Sequence, residues 1–338
     1  MKSSPDSPGH QQPVKSRRFF SRRRIVLLII LIALVPILVF VPPGLGLVNP
    51  QAYYQAVILS GLLTGALYVL IATGLTVVLG VMKIVNLVHG DFIVLAAYIS
   101  FWMTGYGVDP ILALVISLPI FFVVGLPVQR YLFSKGVKFG TDAPLLVAFG
   151  LSNILEYSML TAWTAYPRIT TASYSTVILQ IGPVILPITR LMVLGVSIGC
   201  IVFLTLFLKR TYTGMAIRAT SMDWEIASHL GININRISML AYSIGLSLAA
   251  VAGAFLGLVF SFSPASGIPL TLGGFAAIVL GGAGSVPGAF VGGIVLGYAQ
   301  SVGSFFLGNA YTNLIGYLIF FIVLLFRPSG ILGKVPTF

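Results

Sequence analysis

Charge is what this sequence has least of: 7 acidic and 19 basic residues among 338, or 8% in all. A soluble domain carries roughly 25% charged residues, so a water-facing globule of this length is excluded. There is one cysteine, Cys200, and it sits in an apolar run. That rules out a disulfide within the chain and a cysteine-based metal site, leaving the role of a small buried hydrophobe. The three histidines, His10, His89 and His229, are scattered, and so are the acidic residues. No metal or nucleophile constellation forms, so neither a catalytic residue nor a cofactor is expected, and a membrane enzyme is disfavoured. Also missing is G-x-x-x-x-G-K-[ST], the loop whose backbone cradles nucleotide phosphates. Alternating ten-residue strands are absent as well, which excludes a β-barrel.

What is present is hydrophobic residue, 58% of the chain, in long continuous runs. A membrane span needs about 20 apolar residues. Candidate spans are 25–41, 54–80, 91–107, 110–129, 143–163, 188–208, 237–260 and 311–326. The run from Ile25 lacks an A-x-A-like end and reads as the first span, not a cleaved signal. The segment 270–303 is apolar but broken, and reads as two half-helices that enter and leave on one side. The expected fold is therefore an all-α polytopic membrane protein of about eight transmembrane helices plus a broken re-entrant pair. The break over 74–90 leaves the count of crossings open.

The formal charge of +12 is a membrane signal and not a nucleic-acid one. Lys2, Lys15, Arg17, Arg18, Arg22, Arg23 and Arg24 crowd the first 24 residues, a Ser/Pro/Gln-rich tail expected to be disordered. Arg130, Lys135 and Lys138 share one loop; Lys209, Arg210, Arg218 and Arg236 share another; Arg327 and Lys334 follow the last span. One orientation puts all of these beside anionic lipid on the cytoplasmic side, with both termini inside. The opposite loops, 42–53, 164–187, 261–269 and 304–310, hold a single basic residue, Arg168. Trp102, Trp163 and Tyr166 fit interfacial anchoring.

Two segments about two hundred residues apart share a pattern. Val78-Leu79-Gly80 is followed by Val88-His89-Gly90-Asp91-Phe92, and Val279-Leu280-Gly281 by Val286-Pro287-Gly288-Ala289-Phe290. Gly and Pro break a membrane helix only where protein or a watery cavity satisfies the freed backbone. Corresponding breaks point to a repeat, expected to be inverted, and to a solute pathway at its interface. The pathway residues expected on this basis are Asn86, His89, Gly90 and Asp91 at the first break, and Gly281, Gly282, Gly284 and Ser285 at the second. A structural reading of the first break has His89 and Asp91 binding each other and the broken backbone. Asn153 and Glu156, three apart, share a helix face and either line a cavity or bond a neighbouring helix.

Residues 211–236 form the one sizeable charged segment between spans. Met222, Ile226 and Leu230 fall at helical spacing, Asp223 and Glu225 lie toward the start of that short helix, and Gly231 suits its end. From the residues alone this is equally a helix lying on the membrane surface. Glu225-Ile-Ala227-Ser-His-Leu-Gly231 fits E-x-A-x-x-x-G, a pattern similar to that of ABC importer permeases in the loop contacting their ATPase subunits. The longer run from Arg218 to Asn233 resembles the version in branched-chain amino acid permeases. So do 80–92, 281–293 and the Phe326-Arg327-Pro328-Ser329-Gly330-Ile331-Leu332-Gly333 stretch. The match covers residues 80 to 333 and is closest to the H-type permease of the pair. The basic tail is longer than the family leads one to expect, and no Leu-Pro follows the loop.

The resemblance implies three regions: a tail (1–24), a permease domain (25–333), and within it an ATPase-docking loop (211–236) carried by Arg218, Asp223, Glu225, Ala227 and Gly231. It also implies a second permease subunit, two ATP-binding subunits and an extracytoplasmic solute-binding protein, in a bacterial cytoplasmic membrane. The implied solute is a branched-chain amino acid, with urea or a short amide as the alternative. An ion-coupled secondary transporter shares the broken helices but needs no docking loop.

Overall fold

The computed structural model describes residues 53–140, 142–181, 184–326 and 329–332. The expected span 25–41, the basic tail 1–24, Arg327 and Lys334 lie outside the described residues. In chain order the main elements are α1 (Ser60–Met82), α2 (His89–Gly105), α3 (Pro110–Pro127) and α4 (Ala143–Trp163). A hairpin of β1 (Ile178–Ile181) and β2 (Val184–Pro187) leads to α5 (Ile188–Arg210), α6 (Tyr212–Met222) and α7 (Trp224–His229). Then come α8 (Ile234–Val259), α9 (Gly267–Gly281), α10 (Val286–Leu307) and α11 (Thr312–Phe326). Eight helices among the described residues are long and apolar enough to cross a membrane. The chain is an all-α polytopic membrane protein.

Helix starts are set by side chains that cap orphaned backbone N–H groups. Asp109 accepts from the Ile111 N–H at 2.8 Å, with Pro110 in the first turn of α3. Asn233 accepts from the Arg236 N–H at 3.1 Å to open α8. Ser285 accepts from the Gly288 N–H at 3.1 Å to open α10, again with a proline in the first turn. These polar punctuation marks interrupt the apolar runs; the span 143–163 coincides with α4, which opens with Pro144 in its first turn.

The core is assembled by missing side chains. A Cβ on Gly293 would strike Val69, one on Gly297 the backbone of Gly65, and one on Gly61 the ring of Tyr298. These pairings run α10 antiparallel along α1. Likewise α8 approaches α2, where a Cβ on Gly253 would meet the Ile93 carbonyl and Ala96. Small residues that admit a neighbouring backbone are the usual basis of helix association in membranes. The outer helices α4, α5 and α11 instead turn Phe149, Ile154, Phe203, Leu318 and Phe321 outward, a surface matched to lipid.

Two details differ from expectation. The segment flanking the second break consists of two helices, 264–281 and 286–307, each long enough to cross, in place of two half-helices. At ~1.5 Å per residue the 22-residue α10 extends about 33 Å, which matches the hydrocarbon core. Moreover, α10 is antiparallel to α1 and also doubles back on α9, where a Cβ on Gly292 would hit the Ala277 carbonyl. Hence α1 and α9 run the same way, and this motif pair does not have the inverted relation anticipated.

One end of the molecule gathers the basic residues. There Val81, Leu204, Ile237 and Val286 pack with Ala216 and Ile217, which brings together the end of α1, the end of α5 and the starts of α8 and α10. Lys83, Arg130, Lys209, Arg210, Arg218 and Arg236 belong to this basic end. The far end, where α1 begins and α8 finishes, carries Arg168 and Arg190.

Candidate functional site

Both breaks are real. The first runs from Lys83, left-handed at φ 54°, to the start of α2 at His89. Its fastening comes from α9: the Thr271 hydroxyl accepts from the Gly90 N–H at 2.8 Å and donates to the Leu87 carbonyl at 2.9 Å. A Cβ on Gly90 would run into the Gly267 carbonyl and the Thr271 hydroxyl, so only glycine allows this approach. Asp91, in the first turn of α2, is fully buried, and its Oδ2 accepts from Ser152 on α4 at 2.5 Å.

His89 and Asp91 do not bind each other. The His89 ring lies against Gly74 and faces the Ile71 backbone, and the Asn86 side chain faces the Tyr242 hydroxyl. These are fully enclosed polar groups, with His89 and Asp91 at 0% exposure. Asn153 donates an amide N–H to the Phe149 carbonyl of its own helix at 2.8 Å.

The second break sits at the basic end. Gly282 and Gly284 take φ of 111° and 79°, backbone that favours glycine. The Leu280 and Gly281 carbonyls accept from the Ile331 and Leu332 N–H groups at 2.8 and 2.9 Å. The stretch after α11 therefore ties down the end of α9. Val286, just past the break, belongs to the same buried cluster as Ala216 and Ile217 of α6, which links this break to the charged loop.

That loop forms two short helices. Asp223 caps α7, accepting from the Glu225 and Ile226 N–H groups at 2.9 and 3.0 Å. Gly231, at φ 85°, closes it, with the Ile232 N–H donating back to the Ala227 carbonyl at 3.1 Å. Ala227 is buried, while Arg218, Asp223 and Glu225 are exposed. The predicted apolar stripe faces outward: Met222, Ile226 and Leu230 are 81%, 59% and 75% exposed, and Trp224 beside them is also exposed. Nothing in this chain's own fold covers them among the described residues.

At the far end a cavity of about 1000 Å³ opens between α1, α5, α8, α9, α10 and α11. Ser60, Thr64 and Tyr68 line it from α1, Gln300 and Ser304 from α10, and Arg190 from α5. None of the eight pathway residues expected from the breaks lines this cavity. A signal for it did exist: Ser60, Thr64 and Tyr68 recur every four residues, as do Gln300 and Ser304, so each set shares a helix face. Beside it, the loop before β1 is pinned by aromatic contacts. Trp163 stacks on Tyr98 at 4.4 Å between centroids, and the Arg168 guanidinium donates to the Trp163 carbonyl at 2.9 Å. Trp163 is thus half-buried against the core. Tyr174 donates to Asp109 at 3.2 Å, and burial together with that carboxylate pushes its hydroxyl up to about 12.

Residues 57–326 match the family described as branched-chain amino acid transport system / permease component. The chain is 31% identical over 300 residues to the high-affinity branched-chain amino acid transport system permease protein BraD of Pseudomonas aeruginosa, covering 84% of this chain and 98% of that protein. It is 31% identical over 304 residues to the LivH permease protein of Escherichia coli strain K12, covering 83% and 96%. The probable LivH of Methanocaldococcus jannaschii is 28% identical over 289 residues, covering 79% and 89%. No solved structure matches.

Proposed function

Because the chain belongs to the branched-chain amino acid permease family, we propose that it is the membrane-spanning subunit of an ATP-driven importer for branched-chain amino acids. It pairs with a second permease, receives solute from an extracytoplasmic binding protein and is moved by two ATP-binding subunits. The basic end faces the cytoplasm of a bacterial inner membrane, a reading supported by the bias of Lys and Arg toward the cytoplasmic side, and the far-end cavity faces the solute source.

The observation that carries this reading is α7. Six residues long, it carries Glu225 and Ala227, with Gly231 in the turn that follows completing the E-x-A-x-x-x-G spacing, and Ile226 within it and Met222 and Leu230 at its ends face away from the protein. An apolar patch rimmed by Asp223, Glu225 and Arg218 at a membrane protein's inner face fits a protein partner. Force applied there has a route inward. The Ile232–Ala227 bond closes the short turn between α7 and α8, and Ala216 and Ile217 share a buried cluster with the ends of α1 and α5 and the starts of α8 and α10. A tilt of α6 and α7 thereby reaches the helices that line the cavity. Alternating access by such rigid-body movement is a general solution for transporters.

The test is reconstitution. The tagged chain is co-expressed with the ATPase and second-permease subunits and assembled in vesicles, and labelled leucine is supplied by the binding protein. Uptake is expected only with ATP. Replacing Met222, Ile226 and Leu230 together by serine is expected to abolish uptake and co-purification of the ATPases while the two permeases stay paired. Uptake by this chain with no hydrolysing subunit present, driven by an ion gradient, would overturn the proposal.

A further inference from the structure

The far-end cavity contains one charged side chain among the described residues, Arg190. It is half-buried in the first turn of α5, where the helix macrodipole disfavours a cation. No carboxylate pairs with it among the described residues. Its neighbour is the ring of Phe260, whose centroid lies 5.9 Å from the guanidinium carbon, a contact that holds the group on the cavity wall. Ionisable residues in membrane segments are rare and mostly face a cavity, and Arg190 stands at the cavity's mouth, at the end of its span. A guanidinium that merely snorkelled would extend to the interface. This one lines a cavity whose other polar groups, among them Ser263, Gln300 and Asn313, are all neutral.

We infer that Arg190 receives the carboxylate of the solute as it enters the permease, so that this chain itself selects apolar α-amino acids over neutral amides. A guanidinium offers a carboxylate two parallel N–H donors. The neutral oxygens of Ser263, Gln300 and Asn313 accept from the ammonium group without trapping it as a carboxylate would. Leu67, Leu256, Leu270 and Phe305, on the same cavity, cover an aliphatic side chain. A solute held by one charge-assisted contact and several weak ones can still leave. The inference rests on the importer reading above and adds to it the chemistry of the solute and the residue that recognises it.

The native chain has a single cysteine, Cys200, which makes a charge-restoration experiment practicable. In the full complex carrying Cys200→Ser, Arg190→Cys is expected to lower leucine uptake per ATP hydrolysed about tenfold. Reaction from outside with trimethylammonioethyl methanethiosulfonate puts back a positive charge and is expected to recover most of the loss. Reaction with sulfonatoethyl methanethiosulfonate is expected to recover none. Arg190→Gln, which preserves bulk, is expected to show the same loss, with the complex assembling normally. Leucine uptake unchanged in Arg190→Cys or Arg190→Gln overturns the inference and leaves the importer reading intact. Recovery with both reagents, or with neither, overturns it too. A Cys200→Ser parent that takes up urea but not leucine also overturns it, and a parent that takes up no solute with ATP shows that the importer reading itself has failed.

Discussion

Ser152, on α4, donates its hydroxyl to the Asp91 carboxylate at the head of α2, across 61 positions of sequence. This single bond fastens an outer helix to the central break, and it leaves the other carboxylate oxygen of Asp91 buried without a partner. Removing Ser152 therefore strips a fully buried group of its remaining side-chain contact. Ser152→Ala is expected to destabilise the protein by about 1–3 kcal/mol, read as a lowered unfolding midpoint in detergent. With Asp91→Asn already present, the same change is expected to matter less, the two effects falling short of additivity by about 0.5–3 kcal/mol. Strict additivity would show that the pair is not coupled.

Gly90 has the Gly267 carbonyl where a Cβ would sit, and Gly105, at the other end of α2, has nothing nearby. Gly90→Ala is expected to push α2 and α9 apart, detach Thr271 from the Gly90 N–H, and abolish uptake. Gly105→Ala is expected to be silent. Equal transport by both variants would show that the close approach at the first break is dispensable.

The α1–α10 contact depends on Gly61, Gly65, Gly293 and Gly297. Gly297→Leu forces a side chain into the Gly65 backbone and is expected to reduce the yield of folded protein in membranes severely, beyond the 1–3 kcal/mol typical of overpacking. Gly199→Leu, on α5 with open space around it, is the control and is expected to express normally. Size-exclusion profiles in mild detergent decide between them.

Gly231 takes φ 85°, and a Cβ there would meet nothing, so the penalty of substitution is backbone strain alone. Gly231→Val is expected to cost roughly 1–2 kcal/mol locally, unwinding the end of α7 and lowering ATP-driven uptake while the global melting point barely moves. Gly231→Asn, a residue that tolerates left-handed backbone, is expected to retain most uptake. A valine variant as active as the asparagine variant would mean that the turn after α7 does not transmit movement.

Local chemistry accounts for what could be read in advance. The span limits of α4 and the breaks after Gly80 and Gly281 follow from uninterrupted apolar length and from Gly, Pro and capping Ser or Asp. The helical spacing of Met222, Ile226 and Leu230 showed the stripe but not which way it faced; exposure of the stripe emerged only once Ala227 and Ile217 were seen to occupy the inner side. Arg190 gives no signal in the sequence because its neighbours are apolar enough to absorb one charge within the 188–208 span. Asn86, His89 and Asp91 stood out as polar residues near a break, and the assembled helices enclose all three at up to 1% exposure.

The chain by itself determined that this is a helical membrane protein, where its helices stop, and to which family it belongs, because apolar length, capping and the E-x-A-x-x-x-G loop are written in contiguous residues. Only the tertiary structure decided that Thr271 and Ser152 hold the first break, that Val286 after the second break shares a buried cluster with α6, and that Arg190 faces a polar cavity. Those relations join residues far apart in sequence, and they depend on how closely glycine-lined helices approach, which no periodicity within one segment encodes.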